Sequence, residues 1–149
     1  MELNGETLRF IREHCKDDVR SLALQAPKYP GVDMPVALTQ IAGRQAAAEK
    51  IPSWHEEEGV LYPRHLSLEQ CSSEATARYK ASIIPEPSSG TLTDLTGGFG
   101  IDCAFLSPRF HHVTYVERQE VLCEIASHNF PLLGLNHIRI ENKDGIRHL

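Results

Sequence analysis

The sequence predicts an α/β fold: an N-terminal small helical bundle followed by three strands alternating with two helices. Three observations carry this. Residues 1–66 space their apolar side chains as helices do, with Pro and Gly as the breaks. Past "PEPSSG" (85–90) the texture shifts to short runs, among them the alternating, β-branched "HVTYVE". The order β-α-β-α-β implies parallel strands with right-handed crossovers, the first half of a Rossmann-like parallel sheet. The chain divides into 1–66, helices and a connector, and 67–149, the partial sheet domain.

In "ETLRFIREH", Leu8, Phe10 and Ile11 supply an apolar face and Asn4 a cap. "DDVRSLALQA" takes Asp17 or Asp18 as cap, with Val19, Leu22 and Ala23 inward, and Pro27 with "YPGVD" closes it. "MPVALTQIAGRQAAAEKI" has Pro35 in its first turn and ends at Pro52. A connector, "PSWHEEEGVLYPRHL", is pinned by Trp54, Leu61 and Tyr62, with Glu56–Glu58 solvated. "SLEQCSSEATARYKASII" reads as a helix from Ser67, whose spacing to Gln70 is that of a capping box, with a second start at Ser72 or Ser73. Either Ala75, Tyr79 and Ser82 or Ala77 and Ala81 face the core. "TLTDL", "HVTYVE" and "HIRIE" are the strands. "IDCAFLSPRF", interrupted near Pro108, and "RQEVLCEIASHNFPLLGL" are the intervening helices. In the second, Val121, Leu122, Ile125 and Ala126 are at helical spacing and Gly134 is the stop.

Composition narrows the function. Net charge is −5, and by segment residues 1–50 carry seven basic and seven acidic side chains, 51–90 three and six, 91–149 five and seven. None of these offers the clustered Lys and Arg that grip phosphate backbones. Cys15, Cys71, Cys103 and Cys123 lie far apart without a CxxC pair, so thiols are expected rather than disulfides or zinc. His111 and His112 lack ligand spacing, and no metal is expected. No apolar run reaches the roughly 18–20 residues of a membrane span, and "MELNGETLRF" is no signal peptide, so a cytoplasmic location is expected.

"DLTGGFGID" (94–102) sits where a ligand loop belongs, beyond the carboxyl end of strand one. A P-loop needs a Lys after its glycines, and none follows. The dinucleotide series from Gly98 runs Gly98, Gly100, Cys103 and fails at its third glycine, while Asp94 would repel a pyrophosphate. S-adenosylmethionine has a positive ammonium and sulfonium and no phosphate, so Asp94 favours it. Glu117 ends strand two, roughly 20 residues on, where an acid takes the ribose hydroxyls. Asp144, in "ENKDG", follows strand three and is placed for the adenine amine.

With these motifs in view, "DLTGGFGID", "VTYVER" and "NKDG" resemble motifs one to three of class I methyltransferases. More narrowly, the chain resembles the N-terminal part of a bacterial group of SAM-dependent enzymes with a THUMP-like C-terminal domain. "LSLEQCSSEATARYKASII" resembles the helix leading into their fold. The resemblance implies a methionine-side cradle of Asp94, Thr96, Gly97, Gly98 and Gly100, lined or supported by Phe99 and Asp102. It implies Glu117 on ribose, Arg118 over adenine, and Asp144 and Gly145 at the adenine edge. Asp102 reads equally as a helix cap, and Asp144 with Gly145 also spells an ordinary turn. Tyr79 and Lys80 read as core packing and a solvated cation.

The resemblance further implies RNA as the methyl acceptor, and a fourth strand with a proline-containing motif that these residues do not include. The expectation is an N-terminal fragment with weak cofactor binding and little transfer of its own, its catalytic residues unassigned. In the group's strand order, 3-2-1-4-5-7-6, strand one becomes an exposed edge here, and self-association through it is expected. Two other readings stay open: a NAD- or nucleotide-binding oxidoreductase half-domain, and a non-catalytic helical interaction module.

Overall fold

Helix α1 (Gly5–Glu13) starts at Asn4, whose side chain accepts the Thr7 N–H at 2.8 Å. Helix α2 (Val19–Leu24) starts at Asp18, and α3 (Met34–Lys50) at Asp33, with Pro35 in its first turn. The computed structural model describes residues 2–85 and 90–148, so most of the "PEPSSG" break lies outside the described residues. Phe10, Ile11, Leu22, Met34, Ala37 and Ile41 form one apolar cluster among these helices. Leu8 and Ala23, expected inward, are exposed. At these positions the apolar stripe is narrower than the spacing suggests, because these short helices bury only one or two turns' worth of face.

After α4 (Pro52–His55) and the connector come α5 (His65–Gln70) and α6 (Glu74–Ser82). The helix expected from Ser67 is therefore two helices. Cys71 is extended, and Ser73 caps the second helix by accepting the Thr76 N–H at 3.2 Å. The break is stabilised from outside: Lys50 Nζ donates to the Leu68 and Glu69 carbonyls, both at 2.8 Å, near the end of α5 where carbonyls lack intrahelical partners. Ala77 and Ala81 face inward from α6, and Tyr79 is exposed.

The sheet is β1 (Thr91–Asp94), β2 (His112–Glu117) and β3 (Ile138–Asn142), parallel throughout, in the order β1-β2-β3. Helix α7 (Ile101–Leu106) joins β1 to β2, α8 (Glu120–Leu132) joins β2 to β3, and α9 (Gly145–His148) follows. The expected first half of a Rossmann-like sheet is what the chain forms. Strand β2 is central and buries Val113, Tyr115 and Val116. On α8, Leu122, Ile125 and Ala126 are buried as expected, but Val121 is exposed, one position off the buried face. Among the described residues, no helix is long and apolar enough to cross a membrane.

The larger apolar cluster unites Trp54, Val60 and Tyr62 of the first half with Phe99, Tyr115, Ile125 and Phe130 of the second. The clusters divide within α3: Ile41 belongs to one, Ala47 to the other. The extended connector is sewn in by two buried amides. Gln40 of α3 donates to the Tyr62 carbonyl (3.0 Å) and accepts its N–H (2.8 Å). Asn129 of α8 does the same at Leu61, both at 2.9 Å.

Removing one clamp strands a half-buried backbone N–H and C=O, so Asn129→Ala is expected to lower stability by about 1–3 kcal/mol in urea unfolding. Strand β1 is paired with β2 alone among the described strands. We expect concentration-dependent self-association through this edge, read by sedimentation velocity. A Lys at the exposed Thr93 should reduce it.

Candidate functional site

The glycine loop is shaped by what surrounds it. Its first turn is set by Asp94, whose Oδ1 accepts the Thr96 N–H at 3.1 Å. Gly97 N–H then donates to the Val116 carbonyl at 2.8 Å, holding the loop against the end of β2. A Cβ on Gly97 would lie 2.2 Å from the Tyr115 ring, so only glycine permits this approach. Gly100, at φ +93°, begins α7 with its would-be Cβ 2.8 Å from the Phe130 ring. Gly98, at φ +56°, differs: a Cβ there would meet only the Thr96 oxygen at 3.8 Å. The space beside it is open.

Glu117 is buried at 8% exposure, yet its carboxylate is anchored at both oxygens. Oε2 accepts the Gly98 N–H and Oε1 the Gln119 N–H, both at 3.1 Å. The Tyr115 hydroxyl donates to the Gly98 carbonyl at 2.5 Å. From β3, Asn142 Nδ2 donates to the carbonyls of Glu117 (2.9 Å) and Arg118 (3.0 Å), bracing the chain where it leaves β2. A carboxylate has about four acceptor positions, so these two amide bonds orient Glu117 without exhausting it.

Two cavities meet at this residue. The first, about 400 Å³, is walled by Asp94, Thr96, Gly97, Gly98, Gly100, Asp102 and Glu117. The second, about 490 Å³, lies on the β3 side and is walled by Thr96, Glu117, Arg118, Asp144 and Gly145 with Leu95 and Ile146. Each sequence-predicted site residue borders one cavity or both. Phe99 acts from behind: it is 2% exposed, with its ring 5.2 Å from Trp54 and 5.8 Å from Tyr62. It ties the loop to the connector. Asp144 also caps α9, accepting the Ile146 N–H at 2.9 Å, and a Cβ on Gly145 would come 2.3 Å from the Leu95 carbonyl oxygen.

Asp102 does not cap α7, whose cap residue Gly100 offers no side chain. Its Oδ2 instead accepts from Ser72 Oγ and Lys80 Nζ, both at 3.0 Å. Lys80 is thus tied to the cavity wall rather than freely solvated. Sequence reasoning also missed the far wall, Ser67, Gln70, Cys71 and Ser72, along with Gln119 and Leu122. The signal was the polar run "SLEQCSS", whose serines and break reach the loop only once α5 and α6 separate.

Burial raises the Asp94 pKa, with the charges of Asp102 and Glu117 adding to it. The Thr96 N–H and Lys80 act in opposition. Burial likewise pushes the Cys103 thiol up to about 12 and Tyr115 upward, so both stay neutral at physiological pH. The first cavity therefore has acidic walls in search of positive charge. It fits an ammonium or sulfonium, and the open glycine approach fits a ligand pressed against backbone. Among the described residues, no group of three or more His, Cys, Asp or Glu is arranged to hold a metal.

No family model matches the chain, and no curated protein matches it. Among solved structures it is similar to the crystal structure of a "putative methyltransferase" from Porphyromonas gingivalis W83, with 29% identity and a TM-score of 0.71. The likeness covers 91% of this chain and 33% of that one, so the chain spans about a third of its neighbour's length. It supports a methyltransferase fold for this chain.

The raised pKa of Asp94 has a stability consequence. On acidification the folded chain takes up this proton before the unfolded one, so ionisation costs stability. That cost grows as pH rises from the ordinary value of 3.8 through the folded value, and persists above it. Asp94→Asn, which keeps an acceptor for Thr96, is expected to melt higher than the unsubstituted chain near neutral pH. The difference should vanish at a pH well below 3.8, as read by thermal melts at both pH values.

Proposed function

We propose that this chain binds S-adenosylmethionine and forms the cofactor-holding part of a class I methyltransferase of the bacterial group with a THUMP-like C-terminal domain. The observation that carries this is Glu117, an anchored carboxylate standing between an acidic cavity and a second cavity edged by Arg118, Asp144 and Gly145. An adenosine with a positive tail has this layout: the diol in the middle, the cationic tail on one side, the base on the other. In this reading Glu117 accepts hydrogen bonds from the ribose hydroxyls and Asp94 holds the ammonium. Asp144, Gly145 and Arg118 flank the adenine.

The cofactor supplies an electrophilic methyl on its sulfonium. The residues of this chain hold and orient it, and proximity accounts for much of the rate in such a transfer. No general base is assigned here. RNA is the acceptor class in this reading, from the sequence resemblance. No segment of this chain is basic, so it has no cluster of Lys and Arg of its own to grip the phosphates.

The test is calorimetric titration with S-adenosylhomocysteine, with NAD as control. The expected outcome is binding of the first alone, weakened about tenfold or more by Asp94→Ala and by Glu117→Gln, each of which loses charge-assisted hydrogen bonds. Binding of NAD with no response to S-adenosylhomocysteine would turn the assignment towards an oxidoreductase half-domain.

A further inference from the structure

The acidic cavity raises a question its acids do not answer. The methionyl end of the proposed cofactor is a zwitterion, with a carboxylate as well as an ammonium. Asp94, Asp102 and Glu117 all border this cavity, and each would repel that carboxylate. A cation is needed close by, and Lys80, though it does not itself line the cavity, is bonded to two residues that do. Lys80 Nζ donates to Asp102 Oδ2 at 3.0 Å and to Ser72 Oγ at 3.1 Å, and both acceptors line the cavity. Its field also reaches Asp94, whose carboxyl it holds down against the effect of burial.

We propose that Lys80 is the carboxylate-recognising residue of this site, the feature that selects an amino-acid tail over a plain adenosine thioether. An ammonium has three N–H donors. Among the described residues, two are used on Asp102 and Ser72, which aim the group, and the third is left for a ligand. Asp102 Oδ1 is buried without a hydrogen-bond partner, while Oδ2 holds the lysine. Neither Asp102 oxygen is thus left to meet a ligand, and what the pair presents is the aimed ammonium of Lys80. Lys80 sits in the last turn of α6 and Asp102 in the first turn of α7, and the two helices pack together, so the pair is built by tertiary structure.

This rests on the cofactor reading above, and the experiment separates the two. Two probes are titrated: S-adenosylhomocysteine, and its decarboxylated analogue, which keeps the ammonium and lacks only the carboxylate. Lys80→Met is expected to weaken S-adenosylhomocysteine about tenfold while leaving the analogue within about twofold, and Lys80→Arg to retain most of the affinity. An equal loss on both probes would mean that Lys80 merely holds the wall together, and no loss on either would mean that it does not meet the ligand. Each result overturns the assignment. If the unsubstituted chain binds neither probe, the cofactor reading itself fails and this inference with it.

Discussion

The structure depends on one stretch of extended chain being held in place without a sheet to hold it. Residues 60–62 run between α3 and α8, and the backbone groups of Leu61 and Tyr62 are paired by two side-chain amides rather than by a sheet. Gln40 and Asn129, 3% and 0% exposed, each close a reciprocal pair of hydrogen bonds on adjacent residues of the connector. A buried amide of this kind supplies a donor and an acceptor together, the pair a single peptide unit lacks when it leaves regular structure. Through these clamps Val60 and Tyr62 are committed to the larger core, and the helical half of the chain backs the glycine loop through Phe99.

From the clamp the constraint passes to the glycine loop. Tyr62 and Trp54 receive Phe99, the one bulky residue of the loop, and the Phe99 side chain is drawn away from the cavity. Its neighbours are then pressed onto Tyr115 and Phe130, where glycine alone fits at positions 97 and 100. Tyr115 serves twice, as the surface against which Gly97 packs and as donor to the Gly98 carbonyl. The loop's open side is left at Gly98. The open side is thus what remains after Trp54, Tyr62, Tyr115 and Phe130 have claimed the other.

Electrostatics divides the labour among the acids. Glu117 is buried and accepts from two backbone N–H donors, which fix its direction. Asp94 has one such donor and like-charged neighbours, and its ionised form is held at a cost. Asp102 has its own cation, and Lys80 offsets part of the repulsion among the three.

Much of this was legible in the chain itself. Caps at Asn4, Asp18 and Ser73, the alternation of "HVTYVE", and the acids Asp94 and Glu117 at strand ends are local properties, decided by residues within a turn or a pleat of one another. Local rules therefore sufficed for the element order and for the acid pattern around the loop. They could not show that the helix expected from Ser67 starts at His65 and stops at Gln70, because Lys50, 18 residues before Leu68, holds its end. Nor could they show which face of α6 is buried, or that Val121 misses the core by one position. Lys80 meets Asp102 across 22 residues of chain and Asn129 meets Leu61 across 68. Such pairings carry no periodicity, since they are settled by which surfaces pack once the sheet and helices exist. The sequence by itself determined a half-sheet with a glycine loop and spaced acids. Tertiary packing decided that Trp54 and Tyr62 would hold that loop from behind through Phe99, and that α6 would set Lys80 against Asp102.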